Sequence, residues 1–257
     1  MTESASTNPA ARIVHESEVP ARQSYSQPPA PPGDLSVRTL IDETIGSRNL
    51  LQRTLRIRGH GEFVTPPASE EVLYLVEGSA WLSSDQEGGG NPLWPGTAVL
   101  VPPGRGYALS STGPEQVTVV SILAPPPGSG LQDRGAMARS IGMAHEDQAE
   151  AIPAGGDRSF KVLIDPSRGS RLVTQFVGFI ERGQAPLHHH DYEEAIYVLG
   201  GTGTAHVGEE SEPVRPGSSI FLPPGTPHCL ENTGDEVLKL LGVFSPPGSP
   251  AAKRQPG

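Results

Sequence analysis

The sequence predicts an all-β protein built from two tandem β-barrels with short helical or irregular connections. Three observations lead there. Glycine and proline supply 31 and 28 of the 257 residues, a density of turn formers and helix breakers that favours short strands over long helices. The apolar segments are short, rich in Val, Ile, Leu and Phe, and bounded by Gly or Pro, as the strands of a sandwich are. The third observation is an internal repeat. Leu40-Ile41-Asp42 recurs as Leu163-Ile164-Asp165, Gly46-Ser47-Arg48 as Gly169-Ser170-Arg171, and Glu71 and Gly78 as Glu194 and Gly201. The offset is 123 throughout (194 − 71). After a loop that differs by two residues it becomes 121, and Gly96, Pro102 and Gly104 match Gly217, Pro223 and Gly225. A constant offset with one small indel marks a duplicated domain.

The elements follow in order. Residues 1–35 are rich in Ser, Pro, Ala and Gln and include the run Pro28-Pro29-Ala30-Pro31-Pro32. Such a segment buries little apolar surface and is expected to be disordered or extended. The first copy, 36–123, offers strands at Leu50 to Ile57, Val72 to Val76 and Ala98 to Val101. Residues 124–158 read as a linker, opening on Ala124-Pro125-Pro126-Pro127-Gly128 and carrying a short helix around Met137 to Ile141. The second copy, 159–245, offers strands at Leu172 to Ile180, Ala195 to Leu199 and Ser219 to Leu222. Residues 246–257 form a loose tail. His15-Glu16 and His145-Glu146 precede the two copies at similar distances. This is a trace of the duplication, in which each His is expected to be exposed.

Composition narrows the function. The formal net charge is −10, and no basic patch or basic amphipathic stretch suggests a nucleic acid or membrane partner. No stretch approaches the length of an apolar membrane span. Met1 to Pro20 lacks an apolar core run, so no secretory signal is expected. Cys229 is the only cysteine, which excludes an intrachain disulfide and fits a reducing cytoplasm. It follows His228 directly, and alternation turns it away from that residue's face as a small buried hydrophobe. The expected partner is a small-molecule substrate, with the chain a monomer or homodimer.

The chemistry concentrates in Leu187-His188-His189-His190-Asp191-Tyr192-Glu193-Glu194, answered by Pro223-Pro224-Gly225-Thr226-Pro227-His228. On a strand, residues two apart share a face. His188 and His190 therefore project together, His189 projects away, and Glu194 keeps the even offset. His228 follows a Pro-x-Gly turn, from which a neighbouring strand can deliver it. Three neutral imidazoles and a carboxylate suit Fe, Mn, Ni, Cu, Co or Zn.

These two runs resemble the paired motifs of the cupin superfamily. His188-x-His190-x3-Glu194-x6-Gly201 follows the first motif from its first His onward, although Gly183 stands five rather than six residues before His188. Gly217, Pro223, Gly225, His228 and Asn232 match the second motif at every position. The resemblance covers about 36–123 and 159–245 and implies two tandem jelly-roll barrels, a bicupin. It implies that His188, His190, Glu194 and His228 bind one divalent transition metal per chain. Fe(II) is preferred, because a two-His, one-carboxylate subset is the iron oxygenase triad; Mn, Ni, Co, Cu and Zn are also accommodated.

The chain is similar to quercetinase-like and ring-cleaving bicupin dioxygenases, which implies a metal-dependent oxidoreductase using O2 on a small, aromatic or enolisable substrate. A second reading is a non-redox isomerase, decarboxylase, lyase or cyclase. A third is a binding or sensing bicupin without turnover. Glu194 is the candidate catalytic residue, as ligand or proton carrier. Tyr192, Ile196 and Val198 share the inward parity and are the candidate substrate contacts, suggesting an apolar interior for an aromatic or terpenoid-sized compound. Arg171 and Arg182 are the nearest candidates for an anion clamp, but Ser170-Arg171 recurs as Ser47-Arg48, which favours a structural role for Arg171. In the first copy Thr65, Pro67 and Tyr107 stand where the second has His188, His190 and His228, and Glu71 alone survives. That copy is expected to be metal-free, with His60 as an irregular candidate ligand.

Overall fold

A computed structural model describes residues 11–25, 34–85, 89–129 and 140–251. Within them the chain forms antiparallel β-sheets and four 3₁₀ turns, with no α-helix among the described residues. Each half is a seven-stranded sheet facing a four-stranded one. In the first half the large sheet runs Gly142–His145, Thr97–Val101, Glu70–Glu77, Val117–Ala124, Leu51–Arg58, Asp34–Ile41, Arg22–Tyr25. In the second it runs Arg12–His15, Ser218–Leu222, Glu193–Gly200, Leu238–Ser245, Thr174–Ile180, Arg158–Ile164, Ile152–Pro153. The fold is two jelly-roll barrels, as predicted.

Strand alternation explains the packing. In Glu193–Gly200, Ile196 and Val198 face the interior of their own barrel with Ala205, Ile220 and Leu238. Ala195 and Tyr197 face the other way, into a core shared by both halves with Val72, Tyr74, Leu100, Val120 and Phe221. The central strands are therefore buried on both faces, which is why they read as unbroken apolar runs.

Two strands cross between halves. Arg12–His15 pairs with Ser218–Leu222 of the second barrel. Its counterpart Gly142–His145 pairs with Thr97–Val101 of the first. Residues 11–25 are thus ordered strand and turn, whereas 1–10 and 26–33 lie outside the described residues. The stretch expected to be a linker contains a strand of the first barrel's sheet. Most of the helix expected at 137–141 falls outside the described residues, and Ile141 leads into a strand. His145 is buried, contrary to the expected exposure. Its Nε2 donates to the Pro95 carbonyl at 3.0 Å, and its Nδ1 accepts from Asp147 N. His15 makes the equivalent bonds to Pro216 O and Ser17 N. Each imidazole ties a crossing strand to the other barrel.

Beside each imidazole lies a carboxylate. Glu146 accepts from the Tyr74 hydroxyl at 2.7 Å and pairs with Lys239 at 2.7 Å. Glu16 accepts from the Tyr197 hydroxyl at 2.8 Å and pairs with Arg56 at 2.9 Å. A second pair of carboxylates locks the halves. Glu193 accepts from Ser47 Oγ, Arg48 N and Asn49 N at 2.9–3.0 Å. Glu70 accepts from Ser170 Oγ, Arg171 N and Leu172 N at 2.7–3.2 Å. Both are almost fully buried, and each satisfies a turn of the opposite half, which accounts for the repeated Ser-Arg.

Glu70→Ala leaves several buried donors unpaired and should destabilise the chain by about 3 kcal/mol. A change below about 0.5 kcal/mol in denaturant unfolding, the range of an ordinary surface substitution, would show that this lock contributes nothing. Burial raises the Glu146 carboxyl, but Lys239 and the Tyr74 hydroxyl hold it below its usual value of 4.5. The unfolded chain therefore takes up that proton first on acidification, so the stabilisation is present above pH 4.5 and lost below it. The unfolding midpoint of wild type should fall more steeply than that of Glu146→Gln as pH drops from 6 to 3.5; parallel profiles would exclude the effect.

Candidate metal centre

The centre sits where the run 187–194 meets the strand His228–Asn232. His188 and His228 form a β-bridge, with His228 N donating to His188 O at 2.8 Å and His188 N to His228 O at 3.1 Å. Gly225 N donates to His190 O at 2.7 Å. This turn needs glycine, because Gly225 has φ +78°. Backbone bonds thus join the two motifs although some thirty residues separate them.

One ring nitrogen from each of His188, His190 and His228 lies within 4.8 Å of the others. His188 Nδ1 lies 2.9 Å from Pro186 O, and His228 Nδ1 lies 2.9 Å from Thr226 O. A carbonyl only accepts, so each Nδ1 carries its proton and each Nε2 keeps its lone pair, the form that ligates a metal. His189 lies outside the cluster. Cys229 is buried beside Gln184 and turned away from it. Glu194 Oε2 stands 3.4 Å from His228 Nε2 and 3.6 Å from His190 Nε2. It is buried and lacks a hydrogen-bond partner, so the carboxylate adjoins the imidazoles without a bond that satisfies it. This donor set and orphaned oxygen fit a divalent transition metal.

Burial and the neighbouring His228 lower the His188 pKa to about 4. Burial also lowers His190, against the pull of Glu194. Burial lowers His228 as well, but the Glu194 carboxylate and the Thr226 carbonyl outweigh it and leave it above its usual value.

A cavity of about 90 Å³ opens beside the imidazoles. Its wall includes Phe160, Phe176, Phe244, Leu230 and Leu240, with His188, His190, Glu194 and His228 at its base. Of the three substrate contacts predicted from parity, only Ile196 lines it. Val198 lies one step further along the strand, packed in the barrel core. Tyr192 stacks on His190 with ring centroids 5.0 Å apart and donates its hydroxyl to Ser249 O at 2.9 Å. It braces the His190 ring and fastens the tail. Residues 246–251 are therefore not loose: Pro250 joins the cavity wall, while 252–257 lie outside the described residues. Neither Arg171 nor Arg182 lines the cavity; Arg158 does. Sequence reasoning missed Arg158, Phe160, Phe176 and Phe244. The even spacing of Arg158 and Phe160 was a usable signal, but nothing in the sequence set which face of that strand meets the centre.

The first barrel has a different centre. Glu71 pairs with Arg53 at 2.8 Å and accepts from Thr65 at 3.1 Å. Arg53 corresponds to Phe176 (176 − 53 = 123), so a guanidinium supplies the positive charge beside this carboxylate. Tyr107 is buried, and burial together with Glu71 raises its hydroxyl well above the usual value. His60 bonds to Ser110 Oγ and Glu62.

The cupin domain family matches residues 176–244. The second barrel is a cupin domain. The two-barrel fold recurs in solved structures: the chain superposes on a putative glyoxylate-induced protein from Pseudomonas aeruginosa with a TM-score of 0.73 and 18% identity, covering 92% of this chain and 89% of that one. A deletion mutant of Bacillus subtilis oxalate decarboxylase gives 0.72 and 16%, covering 92% and 78%. Among curated relatives, an oxalate-binding protein of Thermotoga maritima is 38% identical over 59 residues, 23% of this chain and 49% of that protein. The chain spans about half the length of the first curated relatives it matches, 49% and 60%. No helix among the described residues is long and apolar enough to cross a membrane.

His188→Ala or His228→Ala should reduce bound metal from about one ion per chain to near zero while leaving the far-ultraviolet CD unchanged, since the barrel cores do not include these rings. Elemental analysis matching wild type would relocate the site.

Proposed function

We propose that the second barrel is a metal-dependent catalytic centre that moves a proton on a small oxygen-bearing substrate without net oxidation, as isomerases, decarboxylases and lyases do. The observation that carries this is Glu194 Oε2, buried, without a hydrogen bond and set against two imidazoles at the base of an apolar cavity. Three imidazoles suffice as a ligand set, which leaves the carboxylate for proton transfer. A divalent transition metal held by His188, His190 and His228 supplies a Lewis acid that polarises a substrate carbonyl or carboxylate.

The chain's own groups do the rest. The Pro186 and Thr226 carbonyls fix the ring orientations, and Tyr192 packs behind His190. The phenylalanines in the cavity wall limit the access of water to Glu194. Glu194 takes a proton at Oε2 from one substrate atom and returns it to another.

A cavity of about 90 Å³ is small beside the roughly 300–1,000 Å³ of pockets that take drug-sized ligands, which favours a small substrate over a terpenoid-sized one. The fold likeness to oxalate decarboxylase and the local likeness to an oxalate-binding protein support a small substrate.

The test is turnover of two- to four-carbon keto and carboxylic acids by chain loaded with Mn(II) or Fe(II). Product should form under argon. Glu194→Gln should lower kcat by about 10²- to 10⁴-fold. Turnover that begins only on admitting O2, with matching uptake, would overturn the proposal in favour of an oxygenase. Wild-type kcat in Glu194→Gln would remove the carboxylate from the chemistry.

A further inference from the structure

We infer that residues 246–251 form a latch over the cavity of the second barrel, that Tyr192 is the residue on which it closes, and that it controls the access of ligands to the three imidazoles. This deepens the proposed reading and rests on it only in taking this cavity as the ligand site. Strand pairing ends at Ser245, opposite Glu193. Beyond it the chain leaves the sheet, and Pro250 becomes part of the cavity wall. Most of that wall lies on paired strands. Ala154, Ala185, His188 and His190, which lie outside them, are each tied down by a main-chain hydrogen bond. Pro250 is the exception: among the described residues no main-chain bond joins 246–251 to either barrel. A piece of wall held only by side-chain contacts opens without unfolding the strands beside it.

Tyr192 supplies those contacts. Its hydroxyl donates to Ser249 O at 2.9 Å. The tail backbone lies so close to the ring that a methyl group on Gly248 would overlap the ring and its hydroxyl oxygen, so this position needs glycine for close approach. The same ring stacks on His190 at 5.0 Å and 12°, and packs on Phe244 at 4.7 Å. Tyr192 therefore joins the tail to two residues of the cavity wall, one of them a candidate ligand. His190 and His228 are only 8% and 4% exposed, yet both line the cavity. A ligand reaches them through the cavity, and the tail is the part of its wall that moves most cheaply.

The test labels metal-free chain with diethyl pyrocarbonate at mildly alkaline pH, where the imidazoles are neutral, and follows each histidine by peptide mass spectrometry. His228 reports on the cavity. His145, buried on the crossing strand Gly142–His145, is the internal control. Gly248→Ala, which forces the tail off the Tyr192 ring, and deletion of 248–257 should both speed labelling of His228. A latch closed about nine-tenths of the time gives about a tenfold rise when it is lost. Tyr192→Phe keeps the ring stack, loses one hydrogen bond and should fall between. Deletion of 252–257 alone should leave the rate unchanged. An unchanged His228 rate in Gly248→Ala and in the longer deletion would overturn the inference. So would a rise shared by His145, which marks a loosened fold, or a full rise from the shorter deletion, which places the shield elsewhere. Wild type that binds no Mn(II) would instead sink the metal reading, while labelling of the metal-free variants still decides the latch.

Discussion

The register of the strand Glu193–Gly200 holds this molecule together. Glu193 and Glu194 are adjacent, so the pleat sends them to opposite faces. Glu193 leaves its barrel and accepts three hydrogen bonds from the Ser47-Arg48-Asn49 turn of the other half. Glu194 enters its own barrel and meets His190 and His228. A one-residue slip would put a carboxylate in the wrong place on both faces. It would also move Ile196 and Val198 into the shared core and Ala195 and Tyr197 into the barrel. The assembly of the halves and the geometry of the centre are thus set by one register.

The duplicated half shows what the scaffold requires and what it leaves free. Glu70 repeats the work of Glu193, Tyr74 that of Tyr197, and His145 that of His15. These groups satisfy buried polar atoms between the halves, where an unpaired group is costly. The interiors differ. Where Phe176 lies over Gly242 in the second barrel, the first has Arg53 and Ser121, both hydrogen-bonded to Glu71. A guanidinium does for Glu71 what a metal ion does for Glu194 in the proposed centre: it compensates a buried carboxylate.

The centre is built largely from backbone. The β-bridge between His188 and His228, the Gly225 turn and two carbonyl contacts fix three imidazoles before any ion is considered. Tyr192 then links the ring of His190 to the tail through Ser249. An imidazole cluster held this way resists distortion, because moving one ring breaks main-chain bonds as well as side-chain packing.

The sequence by itself determined the repeat and the all-β architecture and pointed to the four polar residues that the fold gathers in the candidate centre, because each leaves a local trace: a constant offset, runs bounded by glycine and proline, an even spacing of His and Glu. It also determined that the first half had lost three of those residues. Other features have no local trace. The crossing of Arg12–His15 and Gly142–His145 into opposite barrels depends on pairing partners about two hundred and about forty-five residues away. Parity could say that Tyr192, Ile196 and Val198 share a face, but not how deep each one lies, so only Ile196 reached the cavity. Arg158 and the phenylalanines reach the cavity only through the order of the large sheet, in which Arg158–Ile164 pairs with Thr174–Ile180 and that strand with Leu238–Ser245, a placement set by tertiary pairing rather than by any residue's own preference.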